Sequence, residues 1–139
     1  GGLAMERWEK DWESYLVLHI DFSLTKYMEL TDLTGQLNLF LHRWEKIYGK
    51  DEAEKTASER LQGIILRASE QIGKQVVVLI DEYDAPLLDS NSDTALQQQL
   101  RNEMRKFFSP PQEVGAVSSL SLHHRHQQVQ PTEHLQRTE

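Results

Sequence analysis

The sequence predicts an α/β protein, a parallel sheet with flanking helices, and three observations lead there. Two runs, "YLVLHIDFS" (15–23) and "QVVVLID" (75–81), are apolar and β-branched enough to form buried strands. Between them lie two stretches with apolar residues at helical spacing. A third such stretch follows the second strand. Strand, helices, strand, helix is the order of parallel crossover units, which are nearly always right-handed.

The elements follow in chain order. In the first residues, Trp8 and Trp12 stand at i and i+4 and would face the same way on a helix. With Trp44 they read as core or surface anchors rather than as a base-stacking platform. After the first strand, "MELTDLTGQLNLFLHRWEKIYG" brings Leu30, Leu33, Leu37, Phe40, Leu41, Trp44 and Ile47 to helical spacing, with Gly49 as its stop. "DEAEKTASERLQGIILRASEQIG" sets Leu61, Ile64, Ile65 and Ala68 on one face and ends at Gly73. The strand that follows is a continuous apolar run rather than an alternating one, the mark of burial on both faces. A last helix, about 94–108, presents Leu96, Leu100, Met104, Phe107 and Phe108.

Residues 1–110 form one domain by this reading, and composition changes after them. "SSLSLHHRHQQVQPTEHLQRTE" holds four of the six histidines and shows neither a helical nor a strand period. It cannot bury enough apolar surface to offset ordering its backbone, so 111–139 is expected to be a disordered tail. His123, His124 and His126 could bind metal, but short His-rich tracts do so flexibly and unselectively, and a solvated tail is the simpler reading.

Charge and composition exclude several classes of function. The chain has 22 acidic and 15 basic side chains, a net of −7, and no basic stripe, so phosphate-driven nucleic-acid binding is poorly supported. It has no cysteine, hence no disulfide framework or thiolate metal site. No apolar run is long enough to span a bilayer and no signal-peptide core is visible. A soluble, cytoplasmic protein without membrane partners is the expectation.

The chemistry lies at the end of the second strand, in "VVVLIDEYDAP" (76–86). Ligands of parallel sheets sit beyond the carboxyl ends of the strands, where Asp81 and Glu82 fall. Carboxylate oxygens suit Mg²⁺, which keeps several waters and bridges to substrate phosphates. Asp81 and Asp84 are the metal candidates, and Asp81 would meet the metal-bound nucleotide. Glu82 is placed to take a proton from an attacking water. A strand that simply ends in a solvated acidic turn, stopped by Pro86, explains the short pattern equally well.

"DWESYLVLHIDFS", the two amphipathic stretches, "GKQVVVLIDEYDAPLLD" and "LRNEMRKFFS" together resemble the AAA-ATPase-like family of bacterial P-loop proteins. That family is often fused to a PD-(D/E)XK nuclease-like domain. The resemblance covers roughly residues 1–110 and is most specific in "VVLIDEYDAPL". It implies a P-loop NTPase-type sheet, here partial, with ATP and Mg²⁺ as ligands. It makes Asp81 the Walker B magnesium ligand and Glu82 the base. Asp21 matches the family's "DFS" strand end and is either near the site or a turn former.

A Walker B strand works beside a phosphate loop, G-x-x-x-x-G-K-[ST], whose backbone amides cradle the phosphates. Only Gly49 and Gly73 precede a lysine here, followed by Asp51 and Gln75, and both fit helix ends better. In the family the loop lies N-terminal to "GLAMERWEKDW", so the chain reads as truncated. The tail has a related reading. Allowed codons for 122–139, shifted by one base, spell "FITGISKFSQLSIFSEL", which resembles the strand and loop that follow Walker B in the family. Residues from about 112 onward are then an out-of-frame translation.

The function expected is that of an ATPase-like fragment that binds ATP and Mg²⁺ at most loosely, because positioning supplies most of phosphoryl-transfer catalysis. The alternative is an interaction module that self-associates, or pairs with an intact parent ATPase through a sheet edge left open and apolar. A nuclease ranks last: the chain contains no Glu-x-Lys.

Overall fold

A computed structural model describes residues 14–108 in full and the backbones of 117–122 and 129–131. Trp8, Trp12, His123, His124 and His126 lie outside the described residues. The elements are β1 (Tyr15–Asp21), a 3₁₀ turn (Phe22–Leu24), α1 (Leu30–Tyr48), α2 (Ala57–Ile72), β2 (Gln75–Asp81), α3 (Ala85–Asp89), α4 (Thr94–Phe107), β3 (Val117–Leu122) and β4 (Val129–Pro131). The protein is a mixed α/β structure, as the order of apolar runs predicts.

Most boundaries have a local cause. β1 ends two residues early because Asp21 caps the 3₁₀ turn, its Oδ1 accepting from Ser23 N at 2.9 Å and Ser23 Oγ at 2.7 Å. The second helix starts at Ala57, not Asp51. Thr56 Oγ1 accepts from Glu59 N while Glu59 Oε1 accepts from Thr56 N, a reciprocal capping box. Gly73 closes that helix in the left-handed region, φ 76°, which a glycine enters at no steric cost. Asp93 caps α4 through Leu96 N at 3.0 Å. The short α3, which the sequence reading did not anticipate, uses Pro86 in its first turn, where a missing N–H costs nothing.

β1 and β2 pair in parallel, from Tyr15 opposite Gln75 to Asp21 opposite Asp81. β3 pairs in parallel with the other edge of β2, and β4 runs antiparallel to β3. One face of the sheet carries the core: Leu18 and Ile20 from β1 and Val76, Val78 and Ile80 from β2 meet Leu37 and Leu41 of α1, Ile64 of α2 and Leu100 of α4. On the opposite face Val77 is buried and Leu79 half-buried, as the continuous run predicts. β1 is less enclosed than expected. Val17 and His19 are exposed, because β1 is an edge strand of the described sheet.

Within the stretch 111–139, the described backbones of 117–122 and 129–131 form β3 and β4. Their basis is the backbone: the edge of β2 offers a row of N–H and C=O groups that pair with any chain able to extend beside it, whatever its side-chain period. For the same reason β2 has no open edge. Among the described residues, no helix is long and apolar enough to cross a membrane.

Candidate functional site at the carboxyl end of the sheet

The parallel register sets Asp21 beside Asp81, so two adjacent strands deliver carboxylates to the same end of the sheet. Asp21 spends its Oδ1 on Ser23 and serves as a turn former. Asp81 is differently placed. Its Oδ1 is buried and takes no hydrogen bond among the described residues, while Oδ2 stands 3.8 Å from His19 Nε2. The Asp81 side chain keeps 20 % of its surface in solvent, so the site is reachable.

Glu82 follows with φ 56°, the only positive φ at a non-glycine among the described residues. For a side-chain-bearing residue that conformation costs about 1–2 kcal/mol. The strain turns the chain sharply out of β2, and the Glu82 carbonyl then accepts from Ala85 N at 3.0 Å. Glu82 Oε1 is also buried without a hydrogen-bond partner. Strained backbone together with orphaned polar atoms is a combination that clusters at functional sites. Asp84 stands at the N-terminal end of α3, its carbonyl accepting from Leu87 and Leu88.

The donor set fits a hard cation that brings its own ligands. No group of three or more acidic or histidine side chains converges among the described residues, so no all-protein metal cage exists there. Mg²⁺ is commonly held by one or two carboxylates, with waters and phosphates completing its shell. A buried, unsatisfied Asp81 Oδ1 is the kind of atom such an ion would take up.

Loops from both strands are clasped together behind the site. Tyr27 is fully buried; its O–H donates to the Phe22 carbonyl at 2.8 Å, and its backbone N–H donates to Asp89 Oδ2 at 3.0 Å. Burial, then the neighbouring Asp89, Asp21 and Asp32, push the Tyr27 hydroxyl well above its ordinary pKa, so it stays a donor. Sequence reasoning singled out Asp81, Glu82 and Asp84, which follow one another at this end of β2, and did not point to His19 or the Tyr27–Asp89 clasp. The signal for His19 was present in "HID": alternate residues of a strand share a face, so His19 and Asp21 point the same way.

The model of a family described as "Predicted AAA-ATPase" matches residues 1–120. A curated relative, the "Uncharacterized protein in vnfD 5'region" of Azotobacter chroococcum mcd 1, is 30% identical over 105 residues. That match covers 75% of this chain and 20% of the relative, so the chain spans about one fifth of the relative's length. No solved structure matches the chain.

Proposed function

The chain belongs to the predicted AAA-ATPase family, and we propose that it is the Walker B portion of a P-loop-type ATP-binding domain, with little or no ATP hydrolysis of its own. The observation that carries the site reading is the buried, unbonded Asp81 Oδ1 at the carboxyl end of β2. Magnesium bound there would supply charge neutralisation for the β- and γ-phosphates of ATP. Asp81 would hold it, with Asp84 a second carboxylate within the same turn. Glu82, one residue on, would orient a water and accept its proton. The left-handed backbone of Glu82, which turns the chain out of β2, supports such a role.

The G-x-x-x-x-G-K-[ST] cradle is absent from these 139 residues. Without it, Asp81 alone gives weak cation binding and no useful positioning of the γ-phosphate. Phosphate release from ATP by the purified chain tests this, with Asp81→Ala and Glu82→Gln beside it. We expect no Mg²⁺-dependent turnover in any of the three. Turnover that Glu82→Gln abolishes would sink the inactive-portion reading while keeping the site. The interaction-module alternative draws on a sheet edge left open and apolar; in the described sheet that edge is β1, with Val17 exposed on it, since β3 pairs with the other side of β2.

The out-of-frame origin of residues from about 112 onward belongs to the same proposal. Sequencing the DNA that encodes residues 105–139 decides it. Codons that cannot be read one base over as "FITGISKFSQLSIFSEL" would end that idea.

A further inference from the structure

We propose that His19 is a positioning residue for the Asp81 carboxylate, presenting the buried Oδ1 to a divalent cation. The inference rests on the reading of Asp81 as a cation ligand. Three observations lead to it. β1 and β2 are in parallel register with His19 opposite Leu79, so His19 and Asp81 emerge on the same face, two residues apart along the ladder. His19 Nε2 then lies 3.8 Å from Asp81 Oδ2. Oδ1 itself has no hydrogen bond among the described residues, so no such bond fixes the carboxylate from that side.

The contact is longer than a direct hydrogen bond, so the imidazole restrains the carboxylate without locking it. That suits a ligand that must accept an ion and adjust around it. His19 is half exposed, with 49 % of its side chain in solvent, and contributes nothing to the core cluster. Its removal should therefore leave the fold intact. Residues that orient a metal ligand are worth about 10–100-fold in metal affinity.

The test uses the full 139-residue chain and Mn²⁺ alone as probe, with free Mn²⁺ followed by electron paramagnetic resonance at fixed pH. Asp81→Ala, His19→Ala and His19→Gln are compared with the unaltered chain, and circular dichroism monitors folding. We expect Asp81→Ala to abolish binding and His19→Ala to weaken it about 10-fold with an unchanged melting curve. His19→Gln, which keeps a polar N–H on that side chain, should recover most of the loss. Asp81-dependent binding that His19→Ala leaves untouched overturns the role of His19 and keeps the Asp81 reading. Equal weakening by His19→Ala and His19→Gln also overturns it, since shape rather than donation would be responsible. If no binding depends on Asp81, both readings fall together.

Discussion

Glu82 joins chemistry and backbone strain in one residue, and the two can be separated by substitution. Glu82→Gln removes the charge and keeps a side chain at φ 56°. Glu82→Gly removes both and relieves the left-handed strain, at some cost from a looser unfolded chain. We expect Glu82→Gly to be more stable than Glu82→Gln by about 0.5–1 kcal/mol in urea unfolding. The reverse order would mean that no strain is stored there. Gly63 poses the opposite case. A Cβ there would collide with the Glu54 carboxylate, so alanine must displace it. That carboxylate grips Arg67 through Nη1 at 2.8 Å and Nη2 at 3.2 Å, and Arg67 Nη2 also donates to the Gly49 carbonyl at 2.9 Å. Alanine in place of a helical glycine is normally favourable by about 1 kcal/mol. Gly63→Ala should nevertheless destabilise the chain, and the same change should become stabilising once Glu54→Ala has cleared the space. Equal effects in both backgrounds would show that the Glu54–Arg67 pair is not what Gly63 accommodates. Asp81 and Glu82 were legible in the sequence because a strand's apolar run announces its own end. His19 and Gly63 act through partners on other elements, which no local pattern reveals.

Between elements, the α1–α2 hairpin rests on a charged joint inside an apolar stripe. Leu33, Leu37 and Leu41 lead along α1 to Glu45, whose side chain is only 4 % exposed. Arg60 of α2 meets it twice, Nε to Oε2 at 2.9 Å and Nη2 to Oε1 at 2.8 Å, and spends Nη1 on Asn38 Oδ1 at 2.7 Å. Those hydrogen bonds hold the Glu45 carboxyl below its ordinary value of 4.5 despite its burial, and hold the Arg60 guanidinium above its own. The sign follows from the carboxylate. Its contribution is fully present above pH 4.5 and is lost as the pH falls through the depressed folded value. Urea midpoints should therefore fall in that acid window, and Glu45→Gln should flatten that part of the profile. Glu45→Ala strands a half-buried guanidinium and should cost about 3 kcal/mol, the lower end for breaking a buried pair. A loss under 1 kcal/mol would reassign the joint to the weak surface class, worth about 0–1 kcal/mol. Periodicity located both helices yet missed this joint, because a glutamate on the stripe looks like its polar border. It also assigned Ile47 to the stripe, but Ile47 is 65% exposed, because the face toward the core continues from Leu41 through Trp44 to Tyr48 instead.

For the whole molecule, the question is what completes the sheet around β2. Val76, Val77, Val78 and Ile80 are all buried, so β2 behaves as an interior strand and requires a neighbour on each side. β1 supplies one along its full length; β3 supplies the other, from Val76 opposite Val117 to Asp81 opposite Leu122. Apart from the short α3, the strands and helices up to Phe108 were legible because burial imposes their periods. β3 and β4 were not, because pairing through backbone groups asks only for a chain that can extend. A chain ended after residue 110 keeps every element of the helical layer but frees the β2 edge. Unpaired N–H and C=O groups along an apolar strand recruit another chain, and a second copy of the same edge is the nearest one available. We therefore expect the shortened chain to sediment as dimers or larger species at concentrations where the full chain is smaller. Equal sedimentation of the two would mean that β3 does not protect this edge, and the strand-like character of 117–122 would then have no consequence for assembly.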